Sequence, residues 1–283
     1  MYDINQLEYK SAGLCPTYVA HRILNLDEYF SVFQALANKH PEARILCTLD
    51  DQNQADYTSG HCIDANDLDE ILQSDLTQID RLKWQEEGVT LEQWLDPDYP
   101  VYDKLNYQFY YQASHFPFRL RNIESKVDME AGFSRFNERS GGFWMDETLY
   151  TLSELKNNYR EDDNSPALDS RNPPEFSVVP VAHAYQTIAC SPQNYWADAL
   201  KPYDIYYIAR YLEDNFDIQL VAIGASFMGF WIPQRLTQAQ NSAIAATIMK
   251  VYHKGIAEGY EANLAEQISQ RLNEEQVFFL IHT

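Results

Sequence analysis

Three groups of side chains in this sequence have the types that chemistry uses. Cys47, His61 and Cys62 combine thiols with an imidazole, the ligands that zinc favours. Adjacent ligands at 61 and 62 do not converge readily on one tetrahedral ion, however, and no second close pair follows them. Asp50, Asp51 and Asp56 come just after a short apolar run at Arg44–Leu49, and clustered carboxylates at the end of a strand are one way to hold magnesium or calcium. That run has neither the glycine of a calcium loop nor a Gly-Lys phosphate grip, so it reads first as a solvated loop. Metal-assisted hydrolysis by the three aspartates is the enzymatic alternative. His183 and Cys190 form the third group, but seven residues along an extended segment point them to opposite faces. Neither a GxSxG elbow nor a cysteine-protease signature is present. The expectation is a chain with no catalytic residues, no metal ligands and no cofactor.

Charge is the more informative feature. The 283 residues carry 42 acids against 21 Lys and Arg, a formal net charge of −21. Such a surface repels phosphate backbones and anionic headgroups, which argues against nucleic acid and membrane as partners. The acids are also concentrated. Residues 50 to 98 hold fourteen of them against Arg81 and Lys83, so under a fifth of the chain carries twelve of the net negative charges. A self-repelling surface costs stability, and acids serving only solubility would do better spread evenly. The concentration predicts an interface for a basic protein, made by Asp50, Asp51, Asp56, Asp64, Asp67, Asp69, Glu70, Asp75, Trp84, Glu86 and Glu87.

The compartment follows from what is scattered or missing. Cys15, Cys47, Cys62 and Cys190 show no scaffold spacing, which fits reduced thiols in a cytoplasmic protein. The first residues, from Met1 to Glu8, have neither a basic n-region nor an apolar h-region. The longest uncharged apolar stretch, Ile218 to Pro233, contains Gly224, Ser226 and Gly229 and is too short to span a bilayer. It reads as a buried strand and its turn.

The elements that position these groups alternate between strand and helix signals. Residues 16–23 read as extended, 27–38 as a helix capped by Asp27, and 44–49 as a strand, a β-α-β beginning. From Asp64 as N-cap to Gly88, Leu68, Ile71, Leu72, Leu76, Ile79 and Leu82 recur at helical spacing, with acids on the opposite face. Residues 105–111, and then Phe116, Phe118 and Leu120, alternate as antiparallel strands would. A helix is expected over 147–157. Residues 160–175, with three prolines and almost no apolar content, read as an exposed connector. Beyond it come extended segments within 176–190, a helix over 202–216 opened by Pro202, and a strand over 219–227. A helical region over 237–272, broken near Gly255 or Gly259, then leads to a last strand at 277–281.

The fold expected is α+β, with mixed or antiparallel sheets, helices packed against them and two lobes. The N-terminal lobe is 1–159 with the acidic segment 50–98, 160–175 is the connector, and 176–283 is the C-terminal lobe. The function expected is an acidic, cytoplasmic inhibitor or immunity (antitoxin-type) protein that occludes a basic toxin or enzyme. A scaffold subunit is the other alternative. Its case rests on the GGFW and MGFW segments and on tyrosines such as Tyr107, Tyr110, Tyr111, Tyr206 and Tyr207, a residue type suited to surfaces that are apolar on one side and wet on the other.

Overall fold

A computed structural model describes residues 3–10, 14–21, 26–48, 52–69, 116–136, 149–151, 174–193, 200–225, 227–252 and 261–281. The strands are β1 (Glu8–Lys10), β2 (Thr17–Val19), β3 (Arg44–Thr48), β4 (Leu149–Thr151), β5 (Glu175–Val179), β6 (Gln219–Ile223), β7 (Phe227–Trp231) and β8 (Val277–Ile281). The helices are α1 (Leu26–Lys39), α2 (Gln52–Ala65), α3 (116–126), α4 (Pro202–Phe216), α5 (Gln238–Tyr252) and α6 (Glu261–Glu274). The protein is α+β, built on one mixed sheet of order β1-β2-β5-β3-β6-β7-β8-β4. Strands β3 and β6 run parallel and every other neighbouring pair is antiparallel.

Strands from both sides of the 160–175 segment interleave in this sheet. The β2-α1-β3 unit expected at the start exists, but β5 lies between its two strands, with Ser177 opposite Thr17 on one side and Leu46 on the other. Most of the connector falls outside the described residues.

Helices cover both faces, which is why the central strands read as unbroken apolar runs. On one face α1 buries Tyr29, Phe30, Val32, Phe33 and Leu36 against Cys47, Phe176, Val221 and Phe279. Five such side chains contribute roughly 10 kcal/mol of burial as an upper bound. The α1 helix runs from Leu26, so Asp27 lies inside its first turn rather than capping it. On the other face α4, α5 and α6 set Ile205, Leu212, Ile248 and Ile268 against Leu220, Phe230, Phe278 and Leu280. Pro202 opens α4 as expected, and the Asp204 carboxylate accepts from the Lys201 backbone N–H at 3.0 Å. Gly255 and Gly259 lie between α5 and α6, outside the described residues.

Three expectations for the elements change. The apolar stretch after Ile218 is a hairpin, β6 and β7, turned at Gly224 and Ala225, where the Gly224 N–H donates to the Phe227 carbonyl at 2.8 Å. The MGFW segment is β7 itself: Met228 and Phe230 are buried core, and Gly229 is where Phe279 and Ala222 close in. Leu149–Thr151 is a strand and not part of a helix, because the outer edge of β8 still has ladder groups to satisfy and pairs Leu149 with Leu280. Phe116, Phe118 and Leu120 lie on helix α3, not on a strand. Phe116, Arg119 and Ile123, at helical spacing, are its buried side. Residues 105–111 and 141–144 are outside the described residues.

Candidate functional site

The segment chosen for its acids is built around an unexpected helix. Ala55, Thr58, Ser59 and Cys62 of α2 are buried at i, i+3, i+4 and i+7, so the helix has an inward stripe, but of small residues. Burial also pushes the Cys62 thiol up to about 12. The stripe is held by polar bonds: the Thr58 hydroxyl donates to Oε1 of the fully buried Gln193, whose amide donates to the Ala55 carbonyl at 3.1 Å and to Ser191 Oγ at 2.9 Å.

The outward side carries the charge. Asp56 and Asp64 are exposed on α2, so Asp56 belongs to a helix and not to a loop. Asp64 is in the last turn of this helix and does not cap a new one. The helix closes on Asp67 in the left-handed region (φ 49°), with its N–H turned to the Asp64 carbonyl and the Leu68 N–H to the Ile63 carbonyl, a Schellman end with buried Leu68 as its apolar contact. Asp67 is exposed as well. Asp50, Asp51, Glu70, Asp75, Trp84, Glu86 and Glu87 lie outside the described residues, as does the helix expected over most of 64–88.

Asp69 has a different role. Helix α3 crosses the end of α2 and meets it with Arg119, Asn122 and Lys126, on one face at i, i+3 and i+7. Arg119 donates from Nε and Nη2 to the two Asp69 carboxylate oxygens at 2.7 and 2.8 Å. Asn122 donates to the Leu68 carbonyl at 2.9 Å, and Lys126 to the Asn66 carbonyl. The carbonyls left open where α2 ends are thus satisfied by a second helix. Arg119, itself buried, also donates to the Ala189 carbonyl at 3.3 Å.

The acidic surface extends beyond the segment read from sequence. Glu175 at the start of β5 is half-buried, and its carboxyl is pushed up by burial first and then by the negative charges of Asp56 and Glu8, with Lys10 opposing. Edge strand β1, β5 and α2 therefore share one acidic corner. Spacing along the chain could not show this, because Glu8 and Glu175 come together through the β1-β2-β5 ladder, on either side of Val19, and Asp56 acts on Glu175 from α2.

The groups weighed for catalysis separate. Cys47 belongs to the core under α1 and Cys62 to the core on the opposite face of the sheet, while His61 is exposed. Among the described residues no group of three His, Cys, Asp or Glu side chains is placed to hold a metal. Likewise, no helix among them is long and apolar enough to cross a membrane. The extended segment expected between His183 and Cys190 is a 3-10 helix over Ala184–Ala189. Cys190 closes that helix, its N–H donating to the Thr187 carbonyl at 2.9 Å, and His183 stays at the surface with Nδ1 3.2 Å from Glu213 Oε1 and its ring stacked on Tyr185 at 4.9 Å. Tyr206, which could have faced solvent, is buried and donates to Glu124 Oε1 at 2.7 Å. Burial first, and then that bond, raise its phenol above the usual range. Tyr207 is buried too. The His183–Glu213 and Tyr206–Glu124 pairs fasten the 3-10 helix and α3 to α4.

No curated protein and no solved structure matches this chain. Residues 175–281, from β5 to β8, match the model of a family described as a domain of unknown function, DUF4253.

Proposed function

We propose that the protein is a stoichiometric protein-binding protein of the inhibitor or immunity type, which covers a basic toxin or enzyme with its acidic corner. The observation that carries this reading is the exposure of Asp56, Asp64 and Asp67 on α2 and its closing turn, with Asp56 near enough to Glu175 to raise its carboxyl. Two carboxylates eight residues apart on a helix span about 12 Å. That is the scale on which a cluster of lysines or arginines is engaged by several charges at once. A surface of this sign speeds encounter with a cationic partner and disfavours anionic ones. The partner is a basic protein in the cytoplasm, and neither nucleic acid nor membrane is required.

The experiment compares wild type with the triple variant Asp56→Lys, Asp64→Lys, Asp67→Lys in capture from native lysate, followed by association kinetics at two salt concentrations. The expected result is a basic partner held by wild type, with an on-rate at least tenfold lower and nearly salt-independent in the variant. Capture of no basic protein, or an on-rate that the three reversals leave unchanged, overturns the reading.

A further inference from the structure

The sheet is not closed along its whole length. Strands β3 and β6 run side by side, yet they pair only at Cys47 with Ala222 and at Thr48 with Ile223, so the beginnings of the two strands diverge. There β6 also changes register against β7, between Leu220 and Ala222, and a bulge of this kind bends the strand that carries it. The split leaves a cavity of about 210 Å³. Its floor takes Phe33, Ile45 and Val221 from the core under α1 and Leu220 from the core on the opposite face, and all four are buried. Pro41, Arg44 and Trp231 stand at its mouth, each at least partly exposed.

Arg44 gives the cavity its chemistry. Its guanidinium is held at the rim by one hydrogen bond, from Nη1 to the Ala43 carbonyl at 3.1 Å, and among the described residues it makes no ion pair. Acids outnumber Lys and Arg 42 to 21 in this chain, yet the nearest of them in sequence, Glu42, turns to His40 Nδ1 at 3.7 Å. A partly buried arginine whose remaining N–H groups meet no carboxylate of its own chain is set to take one from a ligand, in the planar two-point geometry that guanidinium and carboxylate share. The rings beside it decide the rest of the ligand. Phe33 and Trp231 meet edge to face with centroids 5.9 Å apart and form an apolar wall. A cavity of about 150 Å³ holds a benzene ring, so this one has room for a ring and a short acid chain. A solvated surface arginine explains neither the split in the sheet nor the apolar cavity beside the guanidinium.

We infer that this cleft is a binding site for a small aromatic monocarboxylate, with Arg44 holding the carboxylate and the ring seated against Phe33 and Trp231. The site is separate from the acidic corner, since none of its lining residues belongs to α2 or β1. It takes an anion against the charge of the molecule as a whole. At a formal −21 the chain attracts cations and repels carboxylates at long range, so a preference for an acid over an amine of the same shape has to come from a local cation. A ligand held there bridges α1, β3 and the β6-β7 hairpin, and by binding the folded chain alone it raises the thermal midpoint.

The test uses the full chain and three probes: phenylacetate, phenylethylamine, which has a similar shape and the opposite charge, and acetate, which lacks the ring. Titration calorimetry at neutral pH should show one saturable site for phenylacetate, bound about tenfold or more tighter than either other probe, and a thermal midpoint that rises with phenylacetate alone. Arg44→Met keeps the aliphatic stem and should weaken phenylacetate about tenfold. Arg210→Met, which removes an arginine paired with Asp214, should leave that affinity unchanged. The comparison of probes on the wild-type protein needs no variant to fold. No saturable binding of phenylacetate, an amine bound as tightly as the acid, or a loss in Arg44→Met that Arg210→Met reproduces, overturns the inference.

Discussion

Arg119 grips Asp69 with two parallel hydrogen bonds, Nε to Oδ1 at 2.7 Å and Nη2 to Oδ2 at 2.8 Å, and this fork fastens α3 to the turn that ends α2. The arginine side chain is 9% exposed and the aspartate 30%, so the pair is shielded on one side only. One carboxylate of the acidic segment is thereby spent on holding the fold together, while Asp56, Asp64 and Asp67 face solvent.

Arg119→Ala leaves Asp69 without its partner and removes the donor to the Ala189 carbonyl. Breaking a buried pair typically costs 3–5 kcal/mol, and the partial exposure of Asp69 lowers the expected loss to about 2–3 kcal/mol. Urea unfolding of the two proteins measures it. A loss below about 0.5 kcal/mol would mean that the junction is held by α3 packing alone.

Gly229→Ala tests the close approach in the middle of the sheet. A Cβ there would lie 3.0 Å from Ala222 Cβ and 3.0 Å from Phe279 Cε1. Both neighbours are on paired strands packed under α1, so neither can give way cheaply. The expected destabilisation is about 1–3 kcal/mol, seen as a lower thermal midpoint.

Asp217→Gly should do the reverse. Asp217 closes α4 with φ 58°, a left-handed conformation that glycine adopts without cost, and its carboxylate sits at the negative end of the helix dipole. The exposed side chain has little packing to lose. A gain of about 0.5–1 kcal/mol is expected in denaturant unfolding.

Glu175→Gln should stabilise the protein in a pH-dependent way. The folded-state value of Glu175 is raised above its ordinary 4.5, so the folded chain holds that proton more tightly than the unfolded chain does. Well below 4.5 the group is neutral in both states and contributes nothing adverse. As pH rises through the folded-state value, an ionised carboxylate appears beside Asp56 and Glu8, and stability falls. The variant should therefore melt higher than wild type at pH 7, with the difference vanishing at pH 4. An equal difference at both pH values would contradict this account of burial and like charge.

How much was legible in the sequence depended on how each element is held. Elements with large apolar residues at a clean period were readable: α1, α4 and strands β3 and β8 lie close to where the pattern puts them, because each buries its own face. Helix α2 was not, because its inward stripe is Ala55, Thr58, Ser59 and Cys62, and its partners, such as Gln193, come from 135 residues or more away. The alternation of Phe116, Phe118 and Leu120 suggested a strand, yet Arg119, buried with Phe116 and Ile123, shows a helical side that is held by a partner carboxylate as well as by apolar burial. The local pattern put Leu149–Thr151 in a helix, and the free edge of β8 made it a strand.

By itself the sequence determined the α+β class, the large negative charge, its concentration in residues 50 to 98 and, in the C-terminal part, a helix over 202–216 followed by a strand from 219 and a last strand at 277–281. These follow from composition and period, which a chain carries wherever it goes. Tertiary structure alone decided that β5 enters between β2 and β3 and that Glu8 and Glu175 join Asp56 in one acidic corner. It also decided that Asp69 pairs with Arg119. Each of these relationships joins residues 48 to 167 positions apart through the sheet or through crossing helices, and no local period encodes a contact made by pairing across the fold.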